Sequence, residues 1–174
     1  MSLTQISGAM IANGSFSAAS LANNSITSLQ LANPLTNITL SNTAISNVYE
    51  TVNISASAAA NTINYNILNQ AVLYYTANST ANFTLNFVGN TTTTLNTSLG
   101  VGQSATVAFL NTNGANSFFS NTANIDGTIQ TIRWQGGSAP TGGNANSVDF
   151  YTFSIMKTAN TPTYSIFASQ TQFK

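Results

Sequence analysis

The chain has 174 residues but only three acidic and three basic ones, with no His, no Cys and a formal net charge of zero. That excludes Cys/His zinc sites, disulfides, thiol catalysis and any triad with a His base. It also leaves too few acid–base groups to favour an enzyme and too few cations to neutralise a run of phosphates, so no nucleic-acid partner is expected.

Met1–Gln5 carries no basic stretch of the kind that opens a signal peptide. Through the first forty residues, apolar side chains recur every fifth position: Met1, Ile6, Ile11, Phe16, Leu21, Ile26 and Leu31. Five steps of 100° displace successive residues by 140° around a helix, and a straight strand would alternate their faces. The spacing suits a chain that bends or winds regularly. Such a strip cannot bury its apolar row alone, so it predicts an extended assembly arm over residues 1–46, with Ile6, Ile11, Phe16, Leu21, Ile26 and Leu31 as its contacts with copies of itself.

From about Asn47 the period changes to two, and a β domain is predicted over residues 47–174. Strands are expected at Val52–Ser55, Ile63–Ile67, Ala71–Tyr75, Phe83–Phe87, Ala105–Leu110, Ile129–Trp134, Phe150–Ile155 and Tyr164–Phe167. Turn residues punctuate them at Asn113-Gly114, Asp126-Gly127, Gly136-Gly137 and Gly142-Gly143-Asn144. Short strands at this spacing indicate an all-β fold, an antiparallel β-sandwich of jelly-roll-like type. The only helical candidate, Ser55–Ala60, is Ala-rich but too short to stand alone. No apolar run approaches the roughly 20 residues that span a bilayer, so membrane insertion is not expected.

Asn (25), Thr (26) and Ser (21) make up much of the chain. Thr fills outward strand positions, while Asn and Ser supply turn hydrogen bonds. Edge strands are usually guarded by Lys or Pro, and both are scarce here, so the edges are expected to be hidden in an oligomer. Near-zero net charge points the same way.

Asp149 reads as a structural acid, pairing with Arg133 or capping backbone N–H groups, and Asp126-Gly127 as a hairpin turn. A hard cation accepts Asn and carbonyl ligands, but no Asp-x-Asp spacing is present, and neither metal nor cofactor is expected. Trp134 reads first as a core anchor whose indole N–H finds a carbonyl. With Asn144 it is also the candidate ligand-facing pair, since Trp134-Gln135-Gly136-Gly137 could form a sugar platform. The Gly pairs match no phosphate loop, and the eight Asn-x-Ser/Thr triplets follow from composition.

The stretch Trp134-Gln135-Gly136-Gly137-Ser138-Ala139-Pro140-Thr141-Gly142-Gly143, followed by Val148–Ile155, resembles the C-terminal module of bacteriophage virion proteins. Tail fibres and appendages of marine and cyanobacterial phages are the nearest kind. Tyr164–Phe173 is similar to the family's ending, and the N-terminal decads resemble fibre repeats. The resemblance implies a non-enzymatic virion protein, fibre- or appendage-like, assembling through its arm as a homotrimer and contacting other virion proteins. A capsid-decorating (cement) protein is the alternative. An adhesin binding host-surface glycans is the alternative of another class, and three carboxylates hardly support a polysaccharide-cleaving enzyme.

Overall fold

In a computed structural model, the described residues are 46–174 together with Asn42 and Ala44. The apolar row of the arm lies outside them. Asn47–Lys174 forms one unit of ten strands: β1 (Val52–Ala58), β2 (Asn61–Asn66), β3 (Val72–Ala77), β4 (Phe83–Val88), β5 (Ser104–Thr112), β6 (Ala123–Ile125), β7 (Thr128–Gln130), β8 (Ile132–Trp134), β9 (Val148–Ala159) and β10 (Thr163–Phe173). One short helix, α1 (Leu95–Ser98), lies between β4 and β5.

The strands form two packed sheets, in the orders β1-β3-β5-β9-β10-β8 (sheet A) and β2-β4-β6-β7 (sheet B). The all-β, two-sheet expectation therefore holds. Strand direction is where the molecule departs from it. Five of the eight pairings are parallel, four of them because the chain crosses from one sheet to the other after each of its first five strands, and the fifth where β8 lies beside β10. β1, β3 and β5 stack in sheet A while β2, β4 and β6 stack in sheet B. Val72 lies beside Val52 and Leu85 beside Ile63, so the first turn of this winding takes about twenty residues; the second, from Val72 to Ala108 and from Leu85 to Ala123, is longer because it includes α1 and the loop after β5. An antiparallel jelly roll returns strands by hairpins; here only the later strands do so, in β6–β7 and β9–β10.

Alternation explains the layers. In β2, β4 and β6, Ile63 and Tyr65, Leu85 and Phe87, and Ala123 and Ile125 point inward. Between them Asn64, Asn86 and Asn124 stack on the outer face, and Asn86 Nδ2 donates to Asn64 Oδ1 at 2.8 Å. Sheet A answers with Leu73, Val107, Phe109, Tyr151, Phe153, Ile155 and Ile166. The aromatic rings meet edge-on or tilted, Phe83 with Phe109 at 5.3 Å and Phe87 with Phe153 at 5.0 Å, as ring quadrupoles favour. Tyr65 is fully buried, its hydroxyl proton shared between the carbonyls of Ala71 (2.6 Å) and Ala108 (3.1 Å).

Two local expectations are corrected. The run Ile129–Trp134 is two strands in different sheets, the chain crossing at Thr131 between β7 and β8. The Ala-rich segment at Ser55 belongs to β1, because pairing with β3 outweighs alanine's helix preference. The edge strands β1, β2, β7 and β8 carry neither Lys nor Pro, as the composition led one to expect; β7 and β8 are only three residues long, while β1 and β2 present edges of seven and six residues. The Asp126-Gly127 turn is found as expected, with φ of 50° and 81° joining β6 to β7.

Sheet A is also apolar on its outer face. Ile54, Tyr74, Leu110 and Phe150 lie side by side across β1, β3, β5 and β9, with Val52, Val72 and Ala108 in the adjoining row. Phe173 adds its ring to Phe150 at 5.8 Å. Ile54 is 69% exposed and Phe173 56%.

Candidate functional site

β9 organises the polar chemistry of the domain. Its inward side chains run Asp149, Tyr151, Phe153, Ile155, Lys157, and all five are buried. A carboxylate thus closes one end of the core and an ammonium the other. Eight residues of strand separate them by about 27 Å, so they do not pair.

Asp149 is fully buried among neutral donors. Asn113 Nδ2 (3.0 Å), the Asn144 backbone N–H (3.1 Å) and Gln170 Nε2 (3.2 Å) donate to Oδ2, while Asn144 Nδ2 (2.6 Å) donates to Oδ1. A charge removed from water needs such compensation. Asn113 is held in turn: its Oδ1 accepts from the Ser79 hydroxyl, from Asn111 Nδ2 at 3.1 Å and from the Phe118 N–H at 3.0 Å. Gln170 Nε2 also reaches the Tyr151 hydroxyl at 3.1 Å, which accepts the Ser120 N–H at 3.3 Å. Burial raises the Tyr151 pKa most; the Ser120 N–H lowers it in part, and the Asp149 charge raises it further. The carboxylate and its amides pin together the loops that follow β3, β5 and β8.

This arrangement corrects the expected Asp149–Arg133 pair. Arg133 is exposed on β8, with its guanidinium carbon 5.8 Å from the centre of the Phe167 ring. Inward and outward positions alternate, so an inward acid on β9 cannot meet an outward Arg on β8. Asn144 is likewise turned to Asp149 with both its backbone and side-chain N–H groups, which leaves it a structural role.

At the other end of β9, α1 is held by two charges. Asp126 accepts the Leu95 N–H at 2.7 Å and the Asn96 N–H at 3.0 Å, meeting the unpaired donors of the first turn. Lys157 Nζ donates to the Asn96 carbonyl at 2.7 Å. Thr94 caps the same helix, accepting the Thr97 N–H at 3.1 Å. Among the described residues, no three of Asp, Glu, His and Cys come together.

Trp134 packs its ring edge-on to Phe153 at 6.1 Å, on the rim of the core. It is partly exposed and forms a wall of three adjoining depressions. One of them, about 510 Å³, runs over the outer face of sheet A past Arg133, Phe167, Thr106 and Ser154. Phe167 is 44% exposed there. An aromatic face, a guanidinium and a row of hydroxyls can bind a saccharide by stacking and by hydrogen bonds. Phe167 and Lys157 were missing from the sequence reading. Their only signal was position within a strand pattern, and pattern does not tell which neighbouring strand completes a site.

Among the described residues no helix is long and apolar enough to cross a membrane. No protein-family model, curated protein or solved structure matches the chain.

Proposed function

We propose that the chain is a non-enzymatic structural protein of a bacteriophage virion, fibre- or appendage-like, that assembles as a homotrimer through its N-terminal arm and projects the β-sandwich outward. The observation that carries the assembly reading is the apolar outer face of sheet A. Parallel strands are normally covered on both faces, and large exposed apolar patches mark interaction surfaces. Ile54, Tyr74, Leu110 and Phe150 make such a surface. The fixed roles of Asp149 and Asp126 support a non-enzymatic role, since both carboxylates are engaged with N–H groups. The virion part rests on the resemblance of Trp134–Gly143 and the strands after it.

Sedimentation of the full chain tests the reading. A trimer is expected, weakened by Ile54→Lys on the exposed face; a monodisperse monomer refutes it. Copy number in purified particles separates an appendage, present in few copies, from a cement protein, present in many.

The groove beside Trp134 favours a second reading, a host-surface adhesin. A glycan array with wild type and Phe167→Ala tests it: binding that the substitution removes supports the adhesin, and an unreactive array refutes it.

A further inference from the structure

Arg133 is exposed on β8, and a guanidinium has five N–H donors. Among the described residues no protein acceptor meets them, and the side chain's one partner is the Phe167 ring, centred 5.8 Å from the guanidinium carbon. No carboxylate neutralises the charge either. Asp126 and Asp149 are engaged with N–H groups elsewhere. Glu50 precedes β1, at the opposite edge of sheet A, five strand spacings or about 24 Å away. That is about three Debye lengths at physiological ionic strength.

Register sets what accompanies this free cation. Thr106, Ser154, Phe167 and Arg133 lie side by side across β5, β9, β10 and β8 on the outer face of sheet A. Thr152 and Ser169 form the next row, their hydroxyl oxygens 2.6 Å apart. Phe167 is 44% exposed. One open groove of about 510 Å³ therefore holds a flat apolar ring, a run of hydroxyls and an unpaired guanidinium.

We propose that this groove takes a sugar bearing a carboxylate, a uronic or ulosonic acid residue of a larger glycan, with the carboxylate on Arg133. The proposal rests on the adhesin reading and names its ligand class. The guanidinium is planar, and its paired N–H groups match the two oxygens of a carboxylate. Phe167 offers its ring to the apolar C–H face of the sugar. The Ser154, Thr152 and Ser169 hydroxyls both donate and accept, as sugar hydroxyls require. A neutral glycan would cover the guanidinium and leave its charge uncompensated, which costs affinity. A nucleic acid presents a run of phosphates, and one cation answers only one of them.

The test is a glycan array carrying uronic- and ulosonic-acid glycans, each printed beside its methyl ester, with neutral and sulfated glycans on the same slide. Esterification removes the charge and keeps the sugar. The full-length wild type should bind free acids and prefer them to their esters by about tenfold or more, the loss expected with a charge-assisted hydrogen bond. Arg133→Gln should lose that preference and melt close to the wild-type temperature, since the side chain holds no other element in place. Phe167→Ala should lose acids and esters alike. Equal binding of acids and esters, or sulfated glycans bound in preference to carboxylated ones, would overturn the carboxylate assignment and leave the adhesin reading standing. So would a preference for acids that Arg133→Gln retains. An array with no binding at all would overturn both.

Discussion

Replacing Asp149 by Asn separates a buried structural carboxylate from a surface one. Four N–H groups converge on its oxygens. Hydrogen bonds to a charged group contribute about 1.5–3 kcal/mol each and neutral ones about 0.5–1.5. An Asn that keeps its oxygen at the Oδ2 position retains three donors at neutral strength. Its NH₂ then faces Asn144 Nδ2, which must turn its amide over to accept. Release of a buried charge offsets part of this loss. The expected net cost is about 2–4 kcal/mol. Asp149→Ala strands all four donors at about 1–3 kcal/mol each, a sum comparable to the whole stability of a domain, and should not fold. An exposed acid would cost about 0–1 kcal/mol. Urea unfolding followed by fluorescence of Trp134, the chain's single Trp, measures the difference. An Asn variant within about 0.5 kcal/mol of wild type would refute the structural role assigned to the carboxylate.

Alkali should unfold the domain cooperatively. Tyr65 and Tyr151 have phenol pKa values raised chiefly by burial, so each binds its proton more tightly folded than unfolded. Their contribution is complete below about pH 10 and is lost above it at about 1.4 kcal/mol per pH unit for each; chemical denaturation between pH 8 and 12 that shows no decline would contradict this. Gly143→Ala should cost about 1–3 kcal/mol, because an added Cβ lands on the Phe118 carbonyl oxygen and within 2.9 Å of Asn113 Nδ2; an unchanged melting temperature would show that the loop gives way. Oligomers should survive about 1 M NaCl, since salt screens only charges and the chain has six; dissociation by salt alone would count against apolar assembly.

The strands were legible because their inward residues alternate with Asn, Thr and Ser, as Phe83-Thr84-Leu85-Asn86-Phe87 does most clearly. Their partners were not. Alternation is the same in a parallel and an antiparallel ladder, so nothing in Val52–Ser55 or Ala71–Tyr75 distinguishes a wound chain from a meander. β6 was missed because its three residues, Ala123-Asn124-Ile125, are too few to carry a period. The break at Thr131 was hidden because a strand that changes sheets keeps its alternation. Asp149 was legible as structural from the shortage of partner acids. Its real partners were not, because Asn113, Asn144 and Gln170 are three amides in a chain full of them. Register selects Gln170, which lies opposite Tyr151 across β9 and β10, while Asn113 and Asn144 come from the loops after β5 and β8, where no strand pattern reaches.

The wound half of the domain has a property that a closed sandwich lacks: its length is a free variable. Each circuit through the two sheets lays an equivalent layer on the one before, with matching inward side chains and an Asn on the outside. A further circuit inserted after β2 would meet the same neighbours that β3 and β4 meet now. Growth in that direction needs no redesign of the hairpin formed by β9 and β10, which ends the stack on the far side. A circuit added beside β1 and β2 therefore leaves the Asp149 cluster and the groove beside Trp134 untouched.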